Sequence, residues 1–172
     1  MTPPVRVSPR SSNTLVESLV DSLRSEQHLV EELTAIILTQ RRAVTTDDLQ
    51  GVDDSVFALQ KVLLTLSEAR RRRRSLNSRL GFAEDIPLRD LIAVMGDSAP
   101  DSLHAVSLQL QKCARALAGE VAINRQVLRE SLAATDSYVR ALTGALSPDA
   151  GYGDAVASAA ASRQPKLINR RA

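Results

Sequence analysis

Residues 45–81 read TTDDLQGVDDSVFALQKVLLTLSEARRRRRSLNSRLG, and the pattern in this stretch decides the fold. The stretch opens on Thr45-Thr46-Asp47-Asp48, whose side chains favour helix N-caps, and closes on Gly81, a residue type that commonly ends helices. Between them, positions separated mostly by four and three residues form a coiled-coil-like seam. The predicted seam positions are Val52, Val56, Leu59, Leu63, Leu66, Arg70, Arg73 and Leu80. The pattern predicts one long helix over about 46–80.

A second periodic stretch precedes this helix. Large aliphatic residues recur at spacings of three, four and seven from Leu15 to Ile37, after a capping-box pattern at Thr14–Glu17. A helix is predicted over about 14–42, and the basic pair Arg41-Arg42 suits the negative end of its dipole. Because only about three residues separate the two predicted helices, we expect them to be antiparallel neighbours.

The rest of the helical pattern lies after a break at 82–100. Pro87 begins a predicted short helix over about 87–95, and Ser98–Asp101 begins a third long helix over about 100–146. The apolar positions of that helix are Leu103, Val106, Leu110, Cys113, Leu117, Val121, Leu128, Tyr138 and Leu142. The predicted fold is all-α, a three-helix bundle of long antiparallel, coiled-coil-like helices within one domain, 13–147.

The two ends of the chain differ from this domain in composition. Residues 1–12 are rich in Pro, Ser and Arg and predict a flexible arm, and residues 148–172 are rich in Ala, Gly and Ser and predict a flexible tail that folds on a partner. Neither a secretory leader nor an apolar run long enough to cross a membrane is seen in the sequence. With a single cysteine, this favours a cytoplasmic protein without a membrane span.

The composition argues against an enzyme and against a cofactor or metal site. Aromatic residues make up only 2% of the chain, which is typical of helix bundles rather than deep ligand pockets. His28, His104 and Cys113 lie far apart and show no metal-ligand spacing, and no glycine-rich phosphate loop or nucleophile elbow is present. Cys113 falls on an apolar stripe, where a buried small side chain is the ordinary interpretation. No catalytic residue, metal or cofactor is therefore predicted.

The run Arg70–Arg74 has two interpretations. It is either a patch for nucleic acid or an acidic partner, or a structural cluster at the basic end of a helix. Consecutive helical residues turn by about 100°, so the five guanidinium groups do not share one face. The net charge of +2 also gives no reason to expect nucleic acid. The structural interpretation is favoured, with Arg70 and Arg73 facing Glu17 and Asp21 across the hairpin.

The second half of the third long helix is a predicted binding surface. Asn124, Ser131 and Thr135 occupy positions where a tightly packed seam would carry leucine. The alternative from periodicity alone is that this face closes a homodimer. Tyr152, in a glycine-rich segment, either packs back on the bundle or contacts a partner.

The order of several motifs resembles the FlgN-type flagellar export chaperones, over roughly residues 14–172. The first helix carries Glu26 and Leu29-Val-Glu-Glu-Leu33, and the second starts at Asp47-Asp-Leu49 and ends in a basic cluster and Arg79-Leu-Gly81. The remaining motifs are Asn124-Arg-Gln-Val-Leu128, Ser131-Leu132, Tyr138-Val139, Ala150-Gly-Tyr-Gly153 and Leu167-Ile-Asn-Arg-Arg-Ala172.

This resemblance implies a cytoplasmic chaperone that holds the terminal helices of hook-associated, or hook–filament junction, proteins and delivers them to the flagellar type III export gate. Binding of such a helix uses apolar residues at spacings of three and four. The expected binding residues are Val121, Leu128, Leu132, Tyr138, Leu142 and Leu146, with Leu167 and Ile168 assisting from the tail and Tyr152 contacting the gate. The alternatives are a coiled-coil homodimer that acts as a scaffold and a nucleic-acid-binding helical protein.

Overall fold

The computed structural model describes residues 9–146, with side chains described over 13–144. The helices are α1 (Pro9–Thr45), α2 (Leu49–Arg79), α3 (Leu88–Met95) and α4 (Asp101–Leu146), and a 3-10 turn, Gly96–Ser98, precedes α4. Over these residues the chain forms helices and turns without a strand, so the predicted all-α fold of long packed helices is confirmed. The chain divides into two compact units, Met1–Leu128 and Arg129–Ala172.

The helix bounds differ from the predicted ones at two places. α1 begins at Pro9 rather than near residue 14, because proline lacks an N–H that the first helical turn does not need. The predicted arm, 1–12, therefore overlaps α1 at residues 9–12. α2 begins at Leu49 rather than at 46, because residues 46–48 form the turn of the hairpin.

The turn between α1 and α2 is held by its own side chains. The backbone N–H of Gly51 donates to Oδ1 of Asp48, the N-cap of α2, at 2.9 Å. A Cβ placed on Gly51 would lie 3.1 Å from the Cβ of Ala43, so the two helices approach closely here. At the far end, Gly81 has a φ of +86°, the left-handed conformation in which glycine ends a helix.

Two apolar clusters form the core of the first unit. One joins all four helices and consists of Leu19, Val20, Leu23, Leu76, Leu91, Leu103 and Val106. The other joins α1 to α2 and consists of Leu33, Val62 and Leu66, with Leu117 of α4 packed against it. α1 and α2 both contribute buried residues to both clusters, so the core of this unit follows the hairpin that they form.

The contacts of α1 give the directions of its neighbours. Glu26 contacts Arg73 and Leu33 packs with Leu66, so α2 runs antiparallel to α1. Contacts with α4 advance in the same direction along both helices, from Glu31 with Cys113 to Gln40 with Asn124. Over the first unit, α4 is therefore parallel to α1 and antiparallel to α2, and α3 and the 3-10 turn connect it to the end of α2.

The predicted seam of α2 was wrong at several positions. Val56, Leu63 and Arg70 are exposed, whereas the buried residues of α2 are Ser55, Val62, Leu66, Ala69, Leu76 and Asn77. The prediction assigned the larger side chains to the seam between the helices. The folded helix instead turns Ser55 and Ala69 inward, and such small side chains permit the close approach of α1 and α2.

Candidate partner-binding surface

The described part of the second unit, residues 129–146 of α4, carries an exposed apolar surface. The side chain of Leu132 is 71% exposed, and Tyr138, Val139 and Leu142 are exposed as well. At about 100° per residue, these four side chains fall within one arc of about 120° on the helix. Amphipathic helices bury an apolar stripe of similar width against a partner.

Polar residues lie both within this arc and beside it. Thr135 and Ser131 lie within it, and the Thr135 hydroxyl donates to the Ser131 carbonyl at 3.0 Å. Outside it, Arg140 Nη2 lies 2.8 Å from Asp136 Oδ2, an exposed ion pair one turn apart. The arc therefore presents aliphatic and aromatic area together with the hydroxyls of Ser131 and Thr135, and the Thr135 hydroxyl donates within the helix.

The predicted binding residues fall into three groups. Leu132, Tyr138 and Leu142 share the arc in the second unit. Val121 and Leu128 belong to the first unit, where Val121 is half-buried and Leu128 is exposed. Leu146 ends α4 with its side chain outside the described residues, and Tyr152, Leu167 and Ile168 also lie outside them. Val139 was missed, although its spacing of seven from Leu132 was a signal for the same stripe.

Asn124 does not lie on the exposed surface of α4, because it is buried against α1. Its Nδ2 donates to Oε1 of Gln40 at 2.7 Å, and both side chains are buried. One residue further along α1, Arg41 Nη2 contacts Glu120 Oε2 at 2.5 Å and the Glu120 carbonyl at 3.1 Å. These polar contacts attach α4 to the end of α1, and they explain why α4 carries asparagine at this position.

Two residues of the arginine run, Arg73 and Arg74, form ion pairs with carboxylates in different parts of the chain. Arg73 points inward, where its Nε donates to Oε1 of Glu26 at 2.8 Å, and Arg74 Nε lies 2.6 Å from Asp85 Oδ1. The predicted pairing of Arg70 and Arg73 with Glu17 and Asp21 was wrong, because the hairpin register places Glu26 opposite Arg73 and leaves Arg70 exposed.

A surface groove of about 580 Å³ beside this run mixes charges of both signs. Its lining residues are Ser67, Glu68, Arg71, Arg74, Ser75, Ser78, Arg79 and Glu84. The lining carries three arginines and two glutamates, so it is not a uniformly basic surface.

A second exposed apolar surface lies on α2 and was missed by the sequence prediction. It consists of Leu49, Val56, Phe57, Leu63 and Leu64, and Phe57 is 72% exposed. Two of these residues had been assigned to the hairpin seam. The shift of the seam toward Ser55 and Ala69 turns them outward, on the side of α2 away from α1.

The thiol of Cys113, the single cysteine of the sequence, lies beside the carboxylate of Glu31. Cys113 Sγ donates to Glu31 Oε1 at 3.4 Å, and burial, followed by this contact, raises the pKa of the thiol above its ordinary value. A raised pKa disfavours the nucleophilic thiolate. Over the described residues, no group of three or more His, Cys, Asp and Glu side chains is placed to hold a metal ion.

None of the helices within residues 9–146 combines the length and the apolar character that crossing a membrane requires.

One comparison with known proteins gives a match. The family model described as FlgN protein matches residues 15–158, which is most of the chain and includes α2, α3 and α4 entirely. No curated protein and no solved structure matches the chain.

Proposed function

This chain belongs to the FlgN family of flagellar export chaperones, and from that membership we propose that it binds hook-associated proteins in the cytoplasm and delivers them to the type III export gate. Their terminal helices are the proposed ligands. The membership is carried by a match over residues 15–158. The finer assignment rests on one structural observation, the exposed apolar arc of Leu132, Tyr138, Val139 and Leu142.

The arc supports helix-in-groove recognition. An amphipathic helix contacts its partner through residues at spacings of three, four and seven, and Leu132, Val139 and Leu142 follow that spacing. Burial of a leucine or valine side chain stabilises a complex by about 1.5–3 kcal/mol before the costs of ordering. Tyr138, at the edge of the arc, adds a large rigid side chain with a hydroxyl for the rim of the interface.

The C-terminal segment is proposed to contribute separately. Leu167 and Ile168 supply further apolar contacts to the bound helix, and Tyr152 contacts the export gate. Val121 and Leu128, in the first unit, remain sequence predictions for the same ligand. This division assigns cargo binding and gate binding to different residues, so the two steps can be tested independently.

Cargo binding is tested by titration of the full-length chain with purified terminal segments of hook-associated proteins. The variant Leu132→Glu/Leu142→Glu is expected to weaken binding by more than about 10-fold, because it places two carboxylates on the apolar arc. Leu108→Glu is the matched control, since Leu108 is an equally exposed leucine of α4 in the first unit. Full binding by the double variant would exclude the arc as the site.

Gate binding is tested with Tyr152→Ala. The variant is expected to keep its affinity for the cargo segment and to lose capture by the cytoplasmic part of the export gate. A simultaneous loss of both activities would assign Tyr152 to cargo binding, and retention of both would remove its proposed role.

A further inference from the structure

The outer side of α2 carries an apolar surface that packing within the first unit leaves uncovered. Phe57 is 72% and Leu64 67% exposed, and Val56 and Leu63 are exposed beside them. These four side chains lie close together along the helix. They are on the solvent side of α2, partly opposite and partly beside the buried residues Ser55, Val62, Leu66 and Ala69. Their exposure costs hydration free energy that a partner would recover.

Helical geometry places these residues in one stripe with an acidic residue near its N-terminal end and basic residues at its C-terminal end. At about 100° per residue, the stripe is centred on Gln60 and extends about 60° to either side. Its members are Leu49, Asp53, Val56, Phe57, Leu63, Leu64, Ser67, Arg71 and Arg74. The stripe therefore has an apolar middle, an acidic residue toward its N-terminal end and basic residues toward its C-terminal end.

The flanking residues strengthen this separation of charge. The N-terminal end of α2 and its turn carry exposed Asp47, Asp48, Asp53 and Asp54, and the C-terminal half carries exposed Arg70, Arg71, Arg72, Arg74 and Arg79. Over residues 13–144, Arg70, Arg71 and Arg72 take part in no ion pair, so their charges are available to a partner.

From this arrangement we infer that a second copy of the chain covers the stripe, with the two α2 helices antiparallel about a two-fold axis at Gln60. Such an interface is self-complementary, because each copy offers its acidic end to the basic end of the other. The inference concerns α2 alone and does not depend on the proposed cargo site in α4.

The register follows from the positions of the apolar residues about Gln60. Phe57 of one copy lies opposite Leu64 of the other, and Val56 lies opposite Leu63. Asp53 then lies about 6 Å along the helix axis, slightly more than one turn, from Arg71 of the second copy, a distance that an arginine side chain spans. With 31 residues, α2 is about 46 Å long, so the apolar middle and both charged ends fit within one helix pair.

The charge pattern also distinguishes this occupant from others. A foreign helix would need an acidic segment, an apolar segment and a basic segment in the reverse order to match the stripe along its length. A second α2 meets that requirement by symmetry, and an antiparallel helix pair has packing that suits leucine, valine and phenylalanine.

The first experiment measures the mass of the full-length chain in solution by light scattering over a range of concentrations. The wild-type chain is expected to change from monomer to dimer as the concentration rises, and Phe57→Glu/Leu64→Glu is expected to remain monomeric with an unchanged helical circular dichroism spectrum. Leu108→Glu is the control and should dimerise as the wild type does. A wild-type chain that is monomeric throughout, or a dimer that survives the double substitution, overturns the inference.

The second experiment tests the register by cross-linking. In a Cys113→Ala background, Gln60→Cys is expected to form a disulfide-linked dimer under mild oxidation, because the two-fold axis brings the two cysteines together. Lys61→Cys, one residue away and turned by about 100°, should cross-link far less. Equal cross-linking of the two variants would exclude this register.

The third experiment exchanges the charges. Asp53→Arg alone and Arg71→Asp alone are expected to weaken dimerisation at low salt, and the double variant Asp53→Arg/Arg71→Asp should restore it. Failure of the double variant to recover would show that these two residues do not meet. A dimer disrupted by Leu132→Glu but not by Phe57→Glu/Leu64→Glu would place the self-interface on α4 and overturn the inference.

Discussion

Arg73 of α2 donates from Nε to Oε1 of Glu26 of α1 at 2.8 Å, and the Glu26 side chain is only 5% exposed. Along α1, Glu26 lies between Leu23 of one apolar cluster and Leu33 of the other. The ion pair therefore lies between the two apolar clusters of the first unit rather than on its surface. A slip of the hairpin would leave the Glu26 carboxylate against apolar side chains, so the pair selects one register of α1 against α2.

Removal of one partner of this pair is expected to destabilise the chain. Glu26→Ala leaves the guanidinium of Arg73 partly buried without its carboxylate, and we expect a loss of about 2 kcal/mol in the free energy of unfolding, reduced from the fully buried case because Arg73 retains some contact with water. Urea denaturation followed by circular dichroism measures it.

Two further variants separate the charge from the register. Asp21→Ala, which removes the exposed ion pair of Asp21 with Arg24, should leave the stability unchanged. Glu26→Leu/Arg73→Leu should recover the stability lost by Glu26→Ala, because an apolar pair needs no desolvation of charge. A double variant as unstable as the single one would contradict this account.

The helices and their order were predictable because they follow from local signals. The turn after Thr45, the stop at Gly81 and the start at Asp101 are marked by residues whose backbone and capping preferences act over a few positions. Which face of α2 turns inward was not predictable in this way. A rotation of the helix by one residue exchanges Val56 and Leu63 for Ser55 and Val62, and the choice depends on how closely α1 approaches.

The candidate site was likewise predictable where local spacing specifies it and not where it depends on how the helices pack. The spacing of Leu132 and Leu142 marked an apolar stripe within α4, and those side chains are exposed. Asn124 was expected to lie on that surface, yet it is buried by Gln40, which is far away in sequence. Only the parallel packing of α4 on α1 brings these two amides together, and no local pattern specifies it.

The Gln40–Asn124 contact gives the second prediction. Asn124→Ala removes the donor to Gln40 and is expected to cost about 1–3 kcal/mol, because a buried amide is left without its partner. Gln40→Leu/Asn124→Leu should be at least as stable as the wild type, since Oδ1 of Asn124 has no hydrogen-bond partner among the described residues. Chemical denaturation measures both, and Gln111→Ala, at an exposed position of α4, is the control.

The Cys113 thiol gives the third prediction. Burial and the contact with Glu31 raise the pKa of Cys113, so less thiolate is present at mildly alkaline pH and alkylation should be slower in the folded chain than in urea. Since the folded state holds this proton more tightly, its contribution to stability is full below the unfolded thiol pKa and is lost as the pH rises through the folded one.

Substitution of the carboxylate tests the cause. Glu31→Gln removes the negative charge beside Sγ and should speed alkylation of Cys113 by iodoacetamide. Glu32→Gln changes an exposed neighbour and should leave the rate as it is. If both variants react at the wild-type rate, burial alone sets the reactivity of the thiol.

The last prediction concerns α3, which is only eight residues long. So short a helix does not form by itself in water, so its stability must come from packing. Leu91 provides that packing: it is 1% exposed and lies in the apolar cluster that joins all four helices. Leu91→Ala is expected to lower the free energy of unfolding by about 2–5 kcal/mol, through lost burial and the cavity left behind.

Val94 is the matched control, since it lies on the same helix and is 69% exposed. Val94→Ala should change the stability by less than about 0.5 kcal/mol. Amide hydrogen exchange of α3 distinguishes local from global effects: protection of the α3 amides should fall first in Leu91→Ala, while the amides of α1 and α2 keep most of theirs. Equal loss of protection in all helices would instead mean that Leu91 supports the first unit as one cooperative structure, and α3 would then be as integral to it as the hairpin.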